Sequence, residues 1–507
     1  FAQLHKAWAY RQDQLPSTHP IAADIPDIEA VEVNFDGITY AKGASVLKQL
    51  VAYVGRDNFL AAVRRYFGQH AWSNATLSDL LAALTEISGR ELASWSKEWL
   101  ETAGVNTLRP DFTTDTAGRF TEFAVVQEAP DSHPVLRSHR IAIGLYDRAG
   151  GRLQRRRRVE TDIAGERTAV PELAGEPQPD LVLINDDDLT YAKIRLDDRS
   201  LATVTASIGE FTASLPAALC WAAAWDMCRD AEMAARDYVS LVLAGLESAG
   251  DISVAQTLLR QASSALRLYA DPPWRPAGLE LISGGLRAAL DRAEPGSDAQ
   301  LAYLQALAGV AVLPADLELL AGLLDGSVVV NGITVDTELR WRLLQRLAAR
   351  GRAGPAEIEA ELSRDPTDAG ERRAATCRAA IPDPGAKQAA WDAIVGGGLP
   401  NAVFRATLSG FADLDRPDLL APYEQRYFEA VGDIWRGWSS DMAQWFAENA
   451  YPAWTNSPET IRATDEYIEQ AGPPAALRRL LVEGRDSLQR ALRCQQRDRQ
   501  AARRGVR

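Results

Sequence analysis

Histidine is scarce in this 507-residue chain: His5, His19, His70, His133 and His139 are the only five. No two of them stand four apart, so the helix-borne H-E-x-x-H pattern that binds zinc is absent. His133 and His139 flank Pro134 with no carboxylate or thiol cluster beside them, which reads as a pair of exposed loop histidines rather than metal ligands. Cysteine is scarce as well. Cys220, Cys228, Cys377 and Cys494 form no C-x-x-C pair and are too few and scattered for a disulfide framework. On one helix, Cys220 and Cys228 would stand about 12 Å apart in rise, beyond the reach of a bridge. This usage fits a reducing compartment, which makes the cytoplasm the expected location.

Other absences exclude further classes. There is no G-x-S-x-G elbow, no P-loop and no G-x-G-x-x-G. Ser17 and His19 would share a face of an extended loop, but no acidic third member is in view. The longest apolar stretches, such as Ala217 to Ala224, are far short of the roughly 20 residues of a membrane span. Basic side chains number 55 against 69 acidic, a net charge of −14 that repels phosphate backbones and argues against nucleic acid as a partner. The chain opens on Phe1 and its first methionine is Met227, so a piece of a longer protein is expected, with any targeting signal upstream.

What is present falls into three regimes, read as domains 1–107, 108–199 and 200–507. Helices dominate the first. Ala44, Leu47, Leu50, Val51 and Val54 recur at helical spacing before Gly55, and a second helix starts near Asp57. A third opens at Thr76 with Asp79 three residues on, and a fourth runs from Glu91 towards Gly104. The preceding segment, Asp13 to Phe35, has three prolines and reads as an ordered surface loop.

In the second regime the period falls towards two. Strands are predicted at Phe120–Val126, His139–Tyr146 and Asp180–Ile184, with turns at Asp115–Gly118, Asp147–Gly151 and Asn185–Asp188. A small antiparallel β-sandwich is expected. The run Arg155–Arg158 reads as an exposed basic strand that resists edge pairing, with an anion patch as the other reading. The third regime is a succession of amphipathic helices, including Ala231–Leu246, Ser253–Tyr269, Glu338–Ala349 and Pro474–Leu492. The expected architecture is a stacked superhelix of HEAT or armadillo type. Eight arginines between Arg485 and Arg507 read as a frayed, solvated helix end.

The most specific string is Asn34-Phe35-Asp36-Gly37-Ile38-Thr39-Tyr40-Ala41-Lys42-Gly43-Ala44-Ser45-Val46-Leu47. It resembles the F-D-x-I-x-Y-x-K-G-A-x-V-L block of zinc aminopeptidases of the aminopeptidase N type. Upstream, Asp13-Gln14-Leu15-Pro16-Ser17-Thr18-His19-Pro20-Ile21 is similar to the same family's D-x-L-x-S-T-H-P-I stretch. The order of regimes agrees: the helical end of a thermolysin-like catalytic domain, a β-sandwich, then a large helical domain. The chain resembles the C-terminal part of such an enzyme, closest to actinobacterial forms.

The resemblance implies a function. In the family, zinc and the glutamate of H-E-x-x-H activate a water that attacks the scissile carbonyl. The resulting oxyanion needs a further hydrogen-bond donor, and the resemblance gives that role to Tyr40. A phenol suits it as a donor on a stiff stem. Gly43 would let another segment approach. Asp36 and Lys42 read as structural, one a helix-start carboxylate and the other a solvated or paired lysine. His19 reads as a loop-ordering residue. The zinc ligands, the general base and the G-x-M-E-N strand all precede Phe1 in the family order. No metal ligand is therefore expected here, zinc belongs to the full-length enzyme, and the chain alone should not hydrolyse peptides.

Partners implied are peptide substrates and the missing N-terminal part. Arg340, Arg342 and Arg346, on one helix, could offer charge to a peptide's C-terminal carboxylate or form a solvated face. The alternatives to a working enzyme are a non-catalytic helical module that binds peptides or proteins, with Tyr40 a packing residue, and a paralogue with broken zinc ligands upstream.

Overall fold

The computed structural model describes residues 4–23 and 36–504, so Asn34, Phe35 and most of the predicted Asp13–Phe35 loop lie outside the described residues. The chain is mainly helical with two small sheets. It divides into two compact units, Phe1–Met227 and Cys228–Arg507.

The first unit begins with α1 (His5–Asp13), followed by a π-turn at Ile38–Lys42 that runs into α2 (Gly43–Val54). Gly55, at φ +85°, ends α2, and α3 (Arg56–Gln69) starts beside it. Helix α4 (Leu77–Ser88) carries the predicted capping box: the Thr76 N–H and hydroxyl both donate to Asp79 Oδ2 at 2.8 Å. Helix α5 is Ala93–Leu100. Val46, Leu50 and Val54 of α2 pack with Leu84 of α4 and Trp95 and Trp99 of α5 in one apolar cluster.

Seven strands follow. One sheet runs in the order β5-β2-β1-β7, from β1 (Thr107–Thr114), β2 (Phe120–Glu128), β5 (Arg167–Ala169) and β7 (Lys193–Ile194). The other runs β4-β3-β6, from β3 (His139–Ala149), β4 (Arg152–Ile163) and β6 (Leu181–Asp186). β3 and β4 are joined by Gly150 and Gly151, both at positive φ, the conformation a two-residue hairpin needs. The arginine run stands on β4, at a sheet edge. Each of its guanidiniums meets a carboxylate: Arg155 and Arg158 on Asp187, Arg156 and Arg157 on Glu176. It is therefore an exposed edge strand neutralised by local pairing, not an open anion patch.

The second unit is built of helices that pack in sequence neighbourhoods. Helices Asp368–Ala380 and Asn401–Phe411 come so close that a Cβ on Gly410 would lie 2.1 Å from the Thr376 carbonyl. A large apolar cluster holds Trp391, Phe411, Tyr423, Tyr427 and Phe446. The arginine-rich end departs from expectation. Up to Arg504 it forms a single helix, Ala475–Arg504, docked rather than frayed, and Arg507 lies outside the described residues. Asp498 is buried under Arg236 at 2.9 Å, Arg490 meets Asp230 at 2.9 Å, and Arg499 meets Asp271 at 3.0 Å. Complementary acids elsewhere in the unit, invisible to local hydropathy, dock it.

Candidate active site around Tyr40

The two sequence blocks singled out above converge on one turn. Asp36 Oδ1 accepts from the N–H groups of Ile38 and Thr39, both at 2.9 Å, and fixes the start of the π-turn. Its Oδ2 lies 3.0 Å from His19 Nε2, while His19 Nδ1 lies 2.8 Å from the Pro20 carbonyl. A carboxylate and a carbonyl can only accept. Both imidazole nitrogens therefore donate, and His19 is an imidazolium. Its pKa is accordingly raised above 6.5, chiefly by the bond to Asp36 and against the pull of partial burial.

Gly37 takes the place where α1 crosses. Its N–H donates to Gln12 Oε1, and a Cβ there would fall 2.9 Å from the Trp8 ring. Gly43 has no such neighbour: only a carbonyl of its own turn comes within 4.0 Å of a built Cβ. The close approach predicted at Gly43 occurs at Gly37 instead.

The turn is pinned from below by Lys42. Its side chain is 0% exposed, 2.9 Å from Asp13 Oδ2, and it also reaches the Gly104 carbonyl at 3.3 Å. Asp13 is equally sealed. It accepts from Thr18 Oγ1 at 2.7 Å, Gly104 N–H at 2.8 Å and the Tyr191 hydroxyl at 3.2 Å. Burial pushes the Lys42 pKa down to about 8, against the opposing pull of Asp13. Burial also works to raise the Asp13 carboxyl, but Lys42, Thr18 and Gly104 hold it below its ordinary range. The pair is ionised at neutral pH, and of the two expected states of Lys42 the paired one is found.

With Ile38, Ala41 and Lys42 all facing inward, Thr39 and Tyr40 remain outside, and Tyr40 is 52% exposed. A π-turn widens the helix by one residue and is often found where a side chain must be presented. The ring is not sealed in the interior. It stands on a turn whose neighbours on either side are locked.

His139 differs from the exposed loop histidine expected of it. It opens β3 and is fully buried. Gln127 Oε1 accepts from the Arg137 N–H and so can only accept from His139 Nε2 at 2.9 Å; His139 Nδ1 in turn takes the Thr190 hydroxyl at 2.8 Å. This is the neutral Nε2–H tautomer, and burial, with Arg137 nearby, depresses its pKa to about 3. Among the described residues, no group of three or more His, Cys, Asp or Glu side chains could hold a metal ion, so these residues do not fit a zinc centre.

The three arginines on helix Thr337–Ala349 do not share one environment. Arg340 is bound through both ends to Glu361 at 2.7 Å, and Arg346 is buried against Asp415 and the Ala311 carbonyl. Only Arg342 is left open. The i, i+2, i+6 spacing turns Arg340 away from Arg342 and Arg346, which stand four apart on one side of the helix.

One pH dependence follows directly. The His19–Asp36 bond raises the folded-state pKa, so its stabilisation is complete below about pH 6.5 and disappears as pH rises through the elevated value. An NMR titration of the His19 ring should give a midpoint above 6.5. His19→Gln should flatten the matching alkaline fall in thermal stability. A midpoint at or below 6.5 would refute the imidazolium assignment.

Residues 181–490 match the ERAP1-like C-terminal domain, and residues 2–99 match the peptidase family M1 domain. The aminopeptidase N of Streptomyces lividans is 56% identical over 99% of this chain, which spans 60% of that protein. The leucyl aminopeptidase of Saccharolobus solfataricus is 38% identical over 20% of this chain and 13% of its own length. Among solved structures, Legionella pneumophila aminopeptidase A in complex with aspartic acid shares the fold at a TM-score of 0.59 and 13% identity, over 90% of this chain and 57% of that one. With an ERAP1-like C-terminal domain behind a stretch of M1 peptidase domain, the chain belongs to the aminopeptidase N family.

Proposed function

We propose that this chain is the C-terminal part of an aminopeptidase that removes N-terminal residues from peptides, with Tyr40 donating a hydrogen bond to the oxygen that gains charge in the transition state. The observation that carries this reading is the exposed Tyr40 ring on a turn held rigid by two buried or half-buried ion pairs, Asp13–Lys42 and Asp36–His19. Locked neighbours keep a donor in place with little reorganisation, which is what makes such a bond effective. The zinc of the M1 family would be held by residues outside this chain, and nothing in the described residues replaces it.

On this reading residues 1–107 end the catalytic domain, 108–199 form a β-sandwich, and 200–507 form a HEAT-like superhelix. The free state of all four cysteines supports a cytoplasmic setting. The test is an aminoacyl-anilide assay of the 507-residue chain beside the longer protein, with and without chelator. The chain alone should be inactive; the longer protein should be active and lose its activity to the chelator. Activity in the chain alone, or chelator-insensitive activity in the longer protein, would overturn the proposal. A natural start near Phe1 would favour the helical binding module instead.

A further inference from the structure

A cavity of about 500 Å³ in the second unit is bordered by helices Thr337–Ala349, Asp368–Ala380 and Asn401–Phe411. Four guanidiniums line it, those of Arg267, Arg342, Arg346 and Arg373, against two carboxylates, Glu338 and Asp413. The charges behind the wall do not restore balance. Asp415 is shared among Arg267, Arg346 and Arg350 at 2.9, 3.2 and 2.5 Å. Asp365 reaches Arg373 at only 3.5 Å, and Glu338 reaches it at 3.9 Å. With these neighbours included, positive charge remains in excess.

Unspent donors are concentrated at the same place. Arg342 is exposed and has no ion-pair or hydrogen-bond partner among the described residues. Gln345, one turn further along the same helix face, and Ser409 across the cavity are exposed as well. Arg346 Nη2 is buried without any acceptor, a costly state for a charged donor. Burial and the proximity of Arg350 push the Arg346 pKa down to about 10, a measure of how poorly its charge is compensated.

We infer that this cavity is a binding site for a compact oxyanion, phosphate or carboxylate, received by Arg342 and Arg373 over the positive wall that Arg346 and Arg267 provide. Planar guanidiniums match two-oxygen anions through paired N–H groups, which a halide cannot use. Glu338 is largely exposed and can turn out to solvent, so it does not block the site. This inference does not depend on the peptidase reading.

Inorganic phosphate is the probe. Titrated into the chain at constant ionic strength, with sodium chloride as the balancing salt, it should broaden the ³¹P resonance and raise the melting temperature saturably. General salting effects do not saturate in this way. Arg342→Gln removes a side chain with no protein partner, so its fold is safe, and Arg373→Gln gives a second variant. Each should weaken phosphate binding about tenfold or more, the worth of one charge-assisted hydrogen bond. Acetate that displaces phosphate would extend the site to carboxylates; acetate that does not would restrict it to phosphate. Absence of saturable binding, or equal affinity in wild type and Arg342→Gln, would overturn the assignment.

Discussion

Tyr40→Phe in the longer protein should lower kcat by about 100- to 1,000-fold, equivalent to about 3–4 kcal/mol of transition-state stabilisation. The change removes one oxygen from a ring that is already half exposed, so it uncovers no core and opens no cavity. Stability should therefore stay within about 0.5 kcal/mol of wild type. KM should hardly move, because a bond that strengthens only as charge develops on the substrate oxygen contributes little to ground-state binding. Metal content is the discriminating control. If the variant keeps its zinc and its melting temperature while turnover falls, Tyr40 acts on the reacting atoms. A loss smaller than about threefold would return Tyr40 to a surface role, and a loss accompanied by missing metal would point to misfolding.

How much of this was legible depends on how local the physics is. The helices of residues 43–100 followed from apolar spacing and caps, and the Thr76–Asp79 box appears with both of its bonds. Strands β2 and β3 followed from a period near two and β6 from a short apolar run; β1 did not, since Pro110 and the charged Arg109 and Asp111 break its pattern. Long-range charge pairing was the blind spot. Lys42 is separated from Asp13 by a proline-rich stretch, and nothing in the sequence says that both carry their charge into the interior. The same gap hid the docking of Arg490 and Arg499, and the loss of Arg340 and Arg346 to Glu361 and Asp415. The close approach expected at Gly43 falls at Gly37, because the neighbour that demands glycine is Trp8, far away in sequence. For the site itself, the family string pointed to Tyr40 but not to the scaffold beneath it. In the upstream block, Asp13 is the partner of Lys42 and His19 that of Asp36, while Thr18 donates to Asp13.

That scaffold gives the second large effect. Lys42→Met should destabilise the first unit by about 3–5 kcal/mol, the usual result of leaving one member of a buried ion pair without its partner. Methionine keeps most of the lysine stem's volume, so the loss would report the stranded Asp13 charge rather than a cavity. Asp13 would retain its bonds from Thr18, Gly104 and Tyr191, which caps the damage but cannot supply a countercharge. Adding Asp13→Asn to Lys42→Met removes the stranded charge, so the double variant should be more stable than the sum of the single losses predicts. Trp95 and Trp99 lie in the same apolar cluster as Ala41 and Val46, so their fluorescence during urea unfolding follows this unit. Because Lys42 ends the turn that carries Tyr40, turnover of the longer protein should fall in Lys42→Met even though the phenol is intact, and the double variant should recover stability without recovering rate. Strict additivity of the two substitutions would show that Asp13 and Lys42 do not depend on each other. Full activity in Lys42→Met would show that the turn holds Tyr40 in place without the buried pair.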